Sequence, residues 1–352
     1  MNLQQAISAV QPPCEDSRAA ARRRFSDIAI PLGSLGLLQD AVAQLAAIQR
    51  TVRPSTHKRA VVMFCADNGV VAQGVTQCGQ EVTATVTENM GRGKSTVCLM
   101  AKHIGMDSFP VDIGVARDVE GERILRRKIR YGTADMTKEP AMTREEAVRA
   151  LETGIEMAEW CAAQGYKLVC GGEMGIGNTT TSAAVTAVLT GANVRDVTGR
   201  GAGLSSEGLE RKVRAIETAL ALHQLDPNDP VDILHKVGGL DIAGMAGFYL
   251  GAAACGLPVV LDGVISCAAA LIAVRLCPAV RDYLIAAHQS AEPAGRLLLE
   301  ALGYTPFISA GMRLGEGTGA VAAVAMIDLV LAAYDGMPSF DEAGIEAYQP
   351  LT

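Results

Sequence analysis

Two hydrophobic patterns alternate along this chain. Unbroken apolar runs occur in "RAVVMFCA" (59–66), "DSFPVDIGV" (107–115), "YKLVC" (166–170) and "LPVVLDGVIS" (257–266). Each is bounded by glycine, asparagine or a carboxylate, and each reads as a buried strand. Between them lie segments with helical spacing. "PLGSLGLLQDAVAQLAAIQRT" is a turn followed by an amphipathic helix, with Leu37, Leu38, Val42, Leu45 and Ala46 on one face. "GQEVTATVTENMGRGKSTVCLMAKHIG" predicts one or two helices, and "SEGLERKVRAIETALALHQL" and "CAAALIAVRL" predict one each. "TREEAVRALETGIEMAEWCAAQG" opens on Thr143 with Glu145 and Glu146 and ends at Gly165, a capped helix. Residues 1–24 form a helix broken at Pro12 and Pro13, and Arg117 to Lys138 is a charged surface segment.

Strands that are apolar on both faces, alternating with helices, predict a parallel sheet covered on both sides. The expected fold is α/β, a doubly wound parallel sheet flanked by helices. Residues 31–317 are expected to form this Rossmann-like α/β catalytic domain. Residues 1–30 and 318–352 are expected to form a small helical domain.

Composition narrows the function. Among 352 residues the net charge is −7 and aromatics are 4%, with no long basic run, so no nucleic-acid surface is expected. The N-terminus lacks the apolar core of a signal peptide. "GAVAAVAMIDLVLAAY" contains Asp328 and reads as a buried helix, not a membrane span. Nine cysteines are scattered without a C-x-x-C, as in a cytoplasmic protein with reduced thiols. The five histidines show no H-x-x-x-H spacing, so neither a metal nor a cofactor is expected.

The carboxylates are placed more pointedly. Asp67, Asp112, Glu173 and Asp262 come at or just after predicted strand ends, and Asp241 and Glu316 lie in glycine-rich turns before helices. Ligands of open parallel sheets bind outside the carboxyl ends of the strands. "GRGKST" (91–96) is not a P-loop, because Glu88 stands where the first glycine belongs, and "TGRGAGL" fails the dinucleotide fingerprint at Leu204. "GGEMGIGNTTTSAA" (171–184) is a strand-to-helix corner, with Asn178 or Thr179 as the expected helix cap and open amides suited to a phosphate. "SAGMRLGEGTGAVAA" sets Glu316 between glycines, either as a helix-terminal acid or as a general base beside Met312 and Leu314.

Taken together and in order, "PLGSLG", "ADNGVVAQGVTQCGQEVT", "GGEMGIGNTTTSAA", "GRGAGL", "VGGLDIAGMAG", "VVLDGVISCAAAL", "HQSAEPAG" and "MRLGEGTGAVAA" resemble the nicotinate-nucleotide–dimethylbenzimidazole phosphoribosyltransferases over nearly the whole chain. The resemblance implies a homodimer with nicotinate mononucleotide and a benzimidazole-type base as substrates. It implies Glu316 as general base and Glu173 beside the ribose. It further implies Gly175, Ile176, Gly177, Asn178, Thr179, Gly201 and Lys212 around the phosphate and ribose, and Ser290 and Arg313 on the nicotinate side. Thr76, Gln80, Met90, Met312 and Leu314 are the expected wall of the base pocket. A purine or phenolic acceptor, and a non-catalytic partner subunit of a two-subunit enzyme, are the alternatives. The "GGLDIAGMAGFYLGAAACG" helix, with its small-residue face, is the expected dimer contact.

Overall fold

A computed structural model describes residues 1–349. Residues 350–352, the end of the expected helical annex, lie outside the described residues. Six strands form one sheet: β1 (Arg59–Ala66), β2 (Asp107–Gly114), β3 (Leu125–Arg126), β4 (Leu168–Met174), β5 (Val259–Leu261) and β6 (Leu284–Ala286). Their order is β3-β2-β1-β4-β5-β6 and every pairing is parallel. The chain therefore builds outward from β1 on one side, then returns to β4 and builds outward on the other. The crevice between the ends of β1 and β4 is the point where the order reverses.

Both faces of the sheet are buried, as the unbroken apolar runs require. Val62 and Phe64 of β1 enter one core with the helices Arg144–Ala163, Leu240–Ala254 and Val264–Leu276. Val61, Met63 and Cys65 enter the other, with Leu37–Ile48, Glu81–Gly91, Thr96–His103 and Thr318–Gly336. The N-terminal helix Glu15–Asp27 lies on this second layer. Phe25 packs on Tyr334 with ring centroids 4.7 Å apart, and Arg24 Nε donates to the Tyr334 carbonyl at 3.0 Å. The Thr318–Gly336 helix is long and apolar enough to cross a bilayer, yet half of it is buried inside the chain and Asp328 pairs with Arg59.

The structure departs from the sequence pattern at three places. Strands β3 and β6 have two and three residues, too few to show any period, and β3 lies inside the segment read as charged surface. Strand β4 runs on through Gly171, Gly172 and Glu173, so these glycines are strand and not corner. They are small because neighbours press on them: a Cβ on Gly171 would strike the Tyr249 ring, and one on Gly172 the Glu316 carbonyl. Finally, the small-residue face of the Leu240–Ala254 helix is not a dimer contact. Residues Leu240 to Ala253 are all buried within the chain, and a Cβ on Gly247 would collide with the Leu151 carbonyl of the Arg144–Ala163 helix. Those glycines let two helices of one chain approach closely.

Candidate active site

A cavity of about 260 Å³ opens at the reversal point of the sheet. Its floor is the end of β4, Glu173 and Met174, followed by Gly175–Thr179. Loops after β5 and β6 supply Asp262, His288, Ser290 and Glu292. The loop before the last long helix supplies Arg313, Leu314 and Glu316, while Thr76, Arg200 and Gly201 close the remaining side.

Gly177 begins the Asn178–Thr190 helix at φ +95°, a left-handed conformation that glycine adopts without strain. Neither Asn178 nor Thr179 caps this helix, contrary to expectation, and no other side chain does. The Asn178 and Thr180 N–H groups turn to the Gly175 and Gly177 carbonyls at 3.1 and 2.9 Å, and no side chain blocks this end of the helix, whose dipole favours an anion. The Asn178 amide is engaged elsewhere: Nδ2 donates to Glu173 Oε2 and, at 3.0 Å, to Asp241 Oδ2.

Lys212 is fully buried and stands behind the cavity wall. Its Nζ donates to Thr179 Oγ1 at 2.8 Å and to the Gly199 carbonyl at 3.0 Å. Burial lowers its pKa to about 8. An anion on the helix amides would meet this cation through the Thr179 hydroxyl and not directly.

The two glutamates are held differently. Glu173 is 7% exposed, and its Oε1 accepts the Glu316 N–H at 3.2 Å. Burial is the main reason its pKa rises to about 8; the nearby Asp241 and Asp262 add to the rise, and the amide donors oppose it. Glu316 is half-buried, and Oε2 accepts the Val97 N–H at 3.3 Å, at the start of the Thr96–His103 helix. Burial raises its pKa, and that amide bond opposes the rise. Its backbone lies at φ +62°, a conformation costing a residue with a Cβ about 1–2 kcal/mol. Asp262, not Glu316, caps the last long helix: its two oxygens accept Gly317 N–H at 3.0 Å and Gly319 N–H at 2.7 Å.

The structure thus brings Glu173, Glu316, Gly175, Ile176, Gly177, Asn178, Thr179, Gly201, Ser290, Arg313, Thr76 and Leu314 to one cavity. It does not bring Gln80, Met90 or Met312 to that wall. Gln80 Nε2 turns back to the Asn68 carbonyl at 3.2 Å, and Met90 is 1% exposed in the core under the sheet. Met312 is half-buried with its carbonyl tied to Ala291 N–H at 3.0 Å. Sequence reasoning assigned no role to His288, whose Nε2 lies 3.4 Å from Asp262 Oδ1. It opens the "HQSAEPAG" stretch, but β6 before it is too short to be seen in the sequence, so nothing there tied it to Asp262. Asp262 was visible as a strand-end carboxylate, but its partners were not.

A phosphoribosyltransferase family model matches residues 10–345. The chain belongs to this phosphoribosyltransferase family. The nicotinate-nucleotide–dimethylbenzimidazole phosphoribosyltransferase of Acetivibrio thermocellus is 48% identical over 94% of each chain. The enzyme of the same name from Ruminiclostridium cellulolyticum is 44% identical over the full length of both. The crystal structure of CobT from Thermus thermophilus superimposes with a TM-score of 0.89 at 41% identity, covering 95% of this chain and 100% of that one. The phosphoribosyltransferase fold is therefore shared over the whole sheet, including the reversal point where the cavity opens.

Proposed function

We propose that this chain transfers the 5-phosphoribosyl group of nicotinate mononucleotide to 5,6-dimethylbenzimidazole or a related lower-ligand base. The products are α-ribazole 5′-phosphate and nicotinate, a step of cobamide nucleotide-loop assembly. The observation that carries this reading is one cavity in which an uncapped helix N-terminus lies beside four carboxyl groups, Glu173, Asp262, Glu292 and Glu316. The helix end suits the 5′-phosphate and the carboxylates suit a ribosyl centre that gains positive charge.

The chemistry balances without a further reactant. The bond from C1′ to the nicotinate nitrogen breaks with its electron pair going to the ring, which removes that ring's positive charge. A lone pair of the incoming base forms the new bond at C1′ from the opposite face, inverting β to α. The base's N–H proton passes to Glu316. Carboxylates that line the cavity, those of Asp262 and Glu316, stabilise the oxocarbenium character of the transition state. Retention of both Glu173 and Glu316 in the cavity argues against a non-catalytic subunit, and purine or phenolic acceptors would use the same proton transfer. Incubation with nicotinate mononucleotide and a panel of bases, read by mass spectrometry, tests the reading. Absence of any ribosylated base would refute it.

Replacing Lys212 by methionine is expected to weaken nucleotide binding by roughly tenfold or more while leaving base affinity unchanged. It removes a charged hydrogen bond worth about 1.5–3 kcal/mol that aims Thr179. Calorimetry with each substrate checks this, and an unaltered nucleotide affinity would remove Lys212 from phosphate binding.

We infer also that the enzyme acts in the cytoplasm as a homodimer. Its nine free thiols suit a reducing compartment. Leu99 and Leu329, 58% and 74% exposed on two helices that pack together, are apolar side chains available to a second copy. Sedimentation velocity showing only monomer at micromolar concentration would overturn the dimer.

A further inference from the structure

Three threonines, Thr83, Thr85 and Thr87, alternate along the Glu81–Gly91 helix. A threonine inside a helix commonly turns its hydroxyl back to the carbonyl four residues earlier. Thr85 does so to Glu81 at 3.0 Å, and Thr87 to Thr83 at 2.7 Å. Thr83 does not. It is fully buried, and its Oγ1 accepts the Ile176 N–H at 3.0 Å, from a residue 93 positions further along the chain. Having accepted that bond, the hydroxyl still has a proton to give. The buried Asp67, just after β1, is the acid beside it. Burial raises the Asp67 pKa, and the Ala116 amide and the Thr83 hydroxyl oppose the rise. Asp67 Oδ2 accepts the Ala116 N–H at 2.7 Å, which leaves Oδ1, with no other partner, for the Thr83 proton.

Ile176 is the middle residue of the turn Gly175–Gly177, between β4 and the Asn178–Thr190 helix. The amides that follow it divide into two sets. Those of Asn178 and Thr180 close on carbonyls of the turn itself. Among the described residues, those of Gly177 and Thr179 have no acceptor, and they are the groups left for an anion. From Ile176 to Thr180, only the Ile176 amide is held by a group outside the turn and its helix. The turn has no slack underneath: a Cβ on Gly175 would strike the Ala66 carbonyl, and one on Gly177 the Val71 side chain.

We propose that Thr83 is a positioning residue for the phosphate turn: by holding the Ile176 N–H it sets the turn so that the Gly177 and Thr179 amides stay free for the anion. The hydroxyl acts through Ile176 and touches no substrate. Without it the Ile176 amide loses its acceptor, and a donor left unpaired there is costly. The Gly175–Ile176 peptide then turns to find another partner, and the φ of +95° at Gly177 changes with it. That the anion is the 5′-phosphate of a mononucleotide rests on the proposed reaction. The bond from Ile176 to Thr83 does not.

Calorimetry on the full-length protein, with nicotinate mononucleotide and with ribose 5-phosphate, tests this alongside steady-state kinetics. Thr83→Val keeps the shape and removes the hydroxyl. Thr83→Ser keeps the hydroxyl and leaves a gap the size of a methyl group. Thr83→Val should bind both phosphate compounds about tenfold more weakly and raise the nucleotide KM by a similar factor. Its base affinity, and its turnover at saturating nucleotide, should stay within a few-fold of the wild type. Thr83→Ser should melt at a lower temperature than the wild type, because a buried methyl is lost, yet bind both compounds nearly as well. A packing role reverses that order, since serine then does more damage than valine. Wild-type phosphate affinity in Thr83→Val, or an equal loss in Thr83→Ser, overturns the proposal. If Thr83→Val does not fold, amide exchange in the ligand-free wild type decides. The Ile176 N–H should exchange far more slowly than the Gly177 N–H of the same turn, and equal rates overturn the proposal. So does a wild type that binds neither compound. A wild type that binds ribose 5-phosphate but forms no ribosylated base would sink the proposed reaction, and the ribose 5-phosphate affinities would still decide the role of Thr83.

Discussion

Glu316→Gln should lower turnover by about 10²–10⁴-fold while nucleotide affinity stays within a few-fold. The substitution preserves shape and removes basicity. A benzimidazole that bonds to C1′ through one ring nitrogen must lose the N–H proton of the other, or the product carries a positive charge. Glu316 is the half-buried carboxylate on the cavity rim whose oxygen is tied only to one backbone amide, Val97 N–H at 3.3 Å. Glu173 is poorly suited to the task, because both its oxygens are occupied by Asn178 and by the Glu316 amide. The pH dependence has a definite sign. A base acts when deprotonated, and burial raises the Glu316 pKa above its ordinary value. Activity should therefore fall as pH is lowered through that raised value, and Glu316→Gln should lose this acid limb. Single-turnover kinetics separates this chemistry from product release. Full turnover in Glu316→Gln would assign the base to another group, and lost nucleotide binding would make Glu316 a structural residue.

How much of this was legible in the sequence depended on length of pattern. Strands β1 and β2 were readable because long runs with apolar residues on both faces, charged only at Arg59 in β1 and at Asp107 and Asp112 in β2, point to a doubly covered sheet. Strand β6 was not, since three residues carry no period, and His288 and Ser290 follow directly from it. Glycine was the most ambiguous letter. In "GGEMGIG" the first two sit in a strand and make room for Tyr249 and Glu316, while Gly177 turns the chain. Composition alone makes these identical. Methionine misled for a similar reason: Met90 is apolar and close in sequence to the site loop, but its helix turns it into the core. Of the carboxylates singled out in the sequence, Glu173, Asp262 and Glu316 line the cavity, while Asp67, Asp112 and Asp241 do not, because a place at a strand or helix end does not say which way the side chain turns. Their hydrogen bonds, which separate Asp262 the helix cap from Glu316 the rim acid, depend on contacts between residues far apart in sequence.

Glu173→Gln should make the substrate-free protein more stable above neutral pH, even as it impairs the reaction. In the folded chain Glu173 has a pKa of about 8, against 4.5 for an exposed glutamate. The folded state thus binds more protons than the unfolded state between those values, and linkage requires stability to fall as pH rises across that window. Below about pH 4.5 both states hold the proton and the group contributes no penalty. Above about 8 both have lost it, and the full cost of a buried charge is present. A tenfold change in a proton-binding constant corresponds to about 1.4 kcal/mol. Glutamine removes that cost but turns one N–H toward either the Asn178 amide or the Glu316 amide, which offsets part of the gain. A net stabilisation of about 1–3 kcal/mol above pH 8 is expected, enough to raise Tm by a few degrees. The decisive signature is the pH dependence. Calorimetry should show the gap between variant and wild type widening from about pH 5 to about pH 8.5, consistent with a site kept strained for its chemistry. A gap of constant size over that range would mean that glutamine merely packs better, and that Glu173 ionises normally in the folded enzyme.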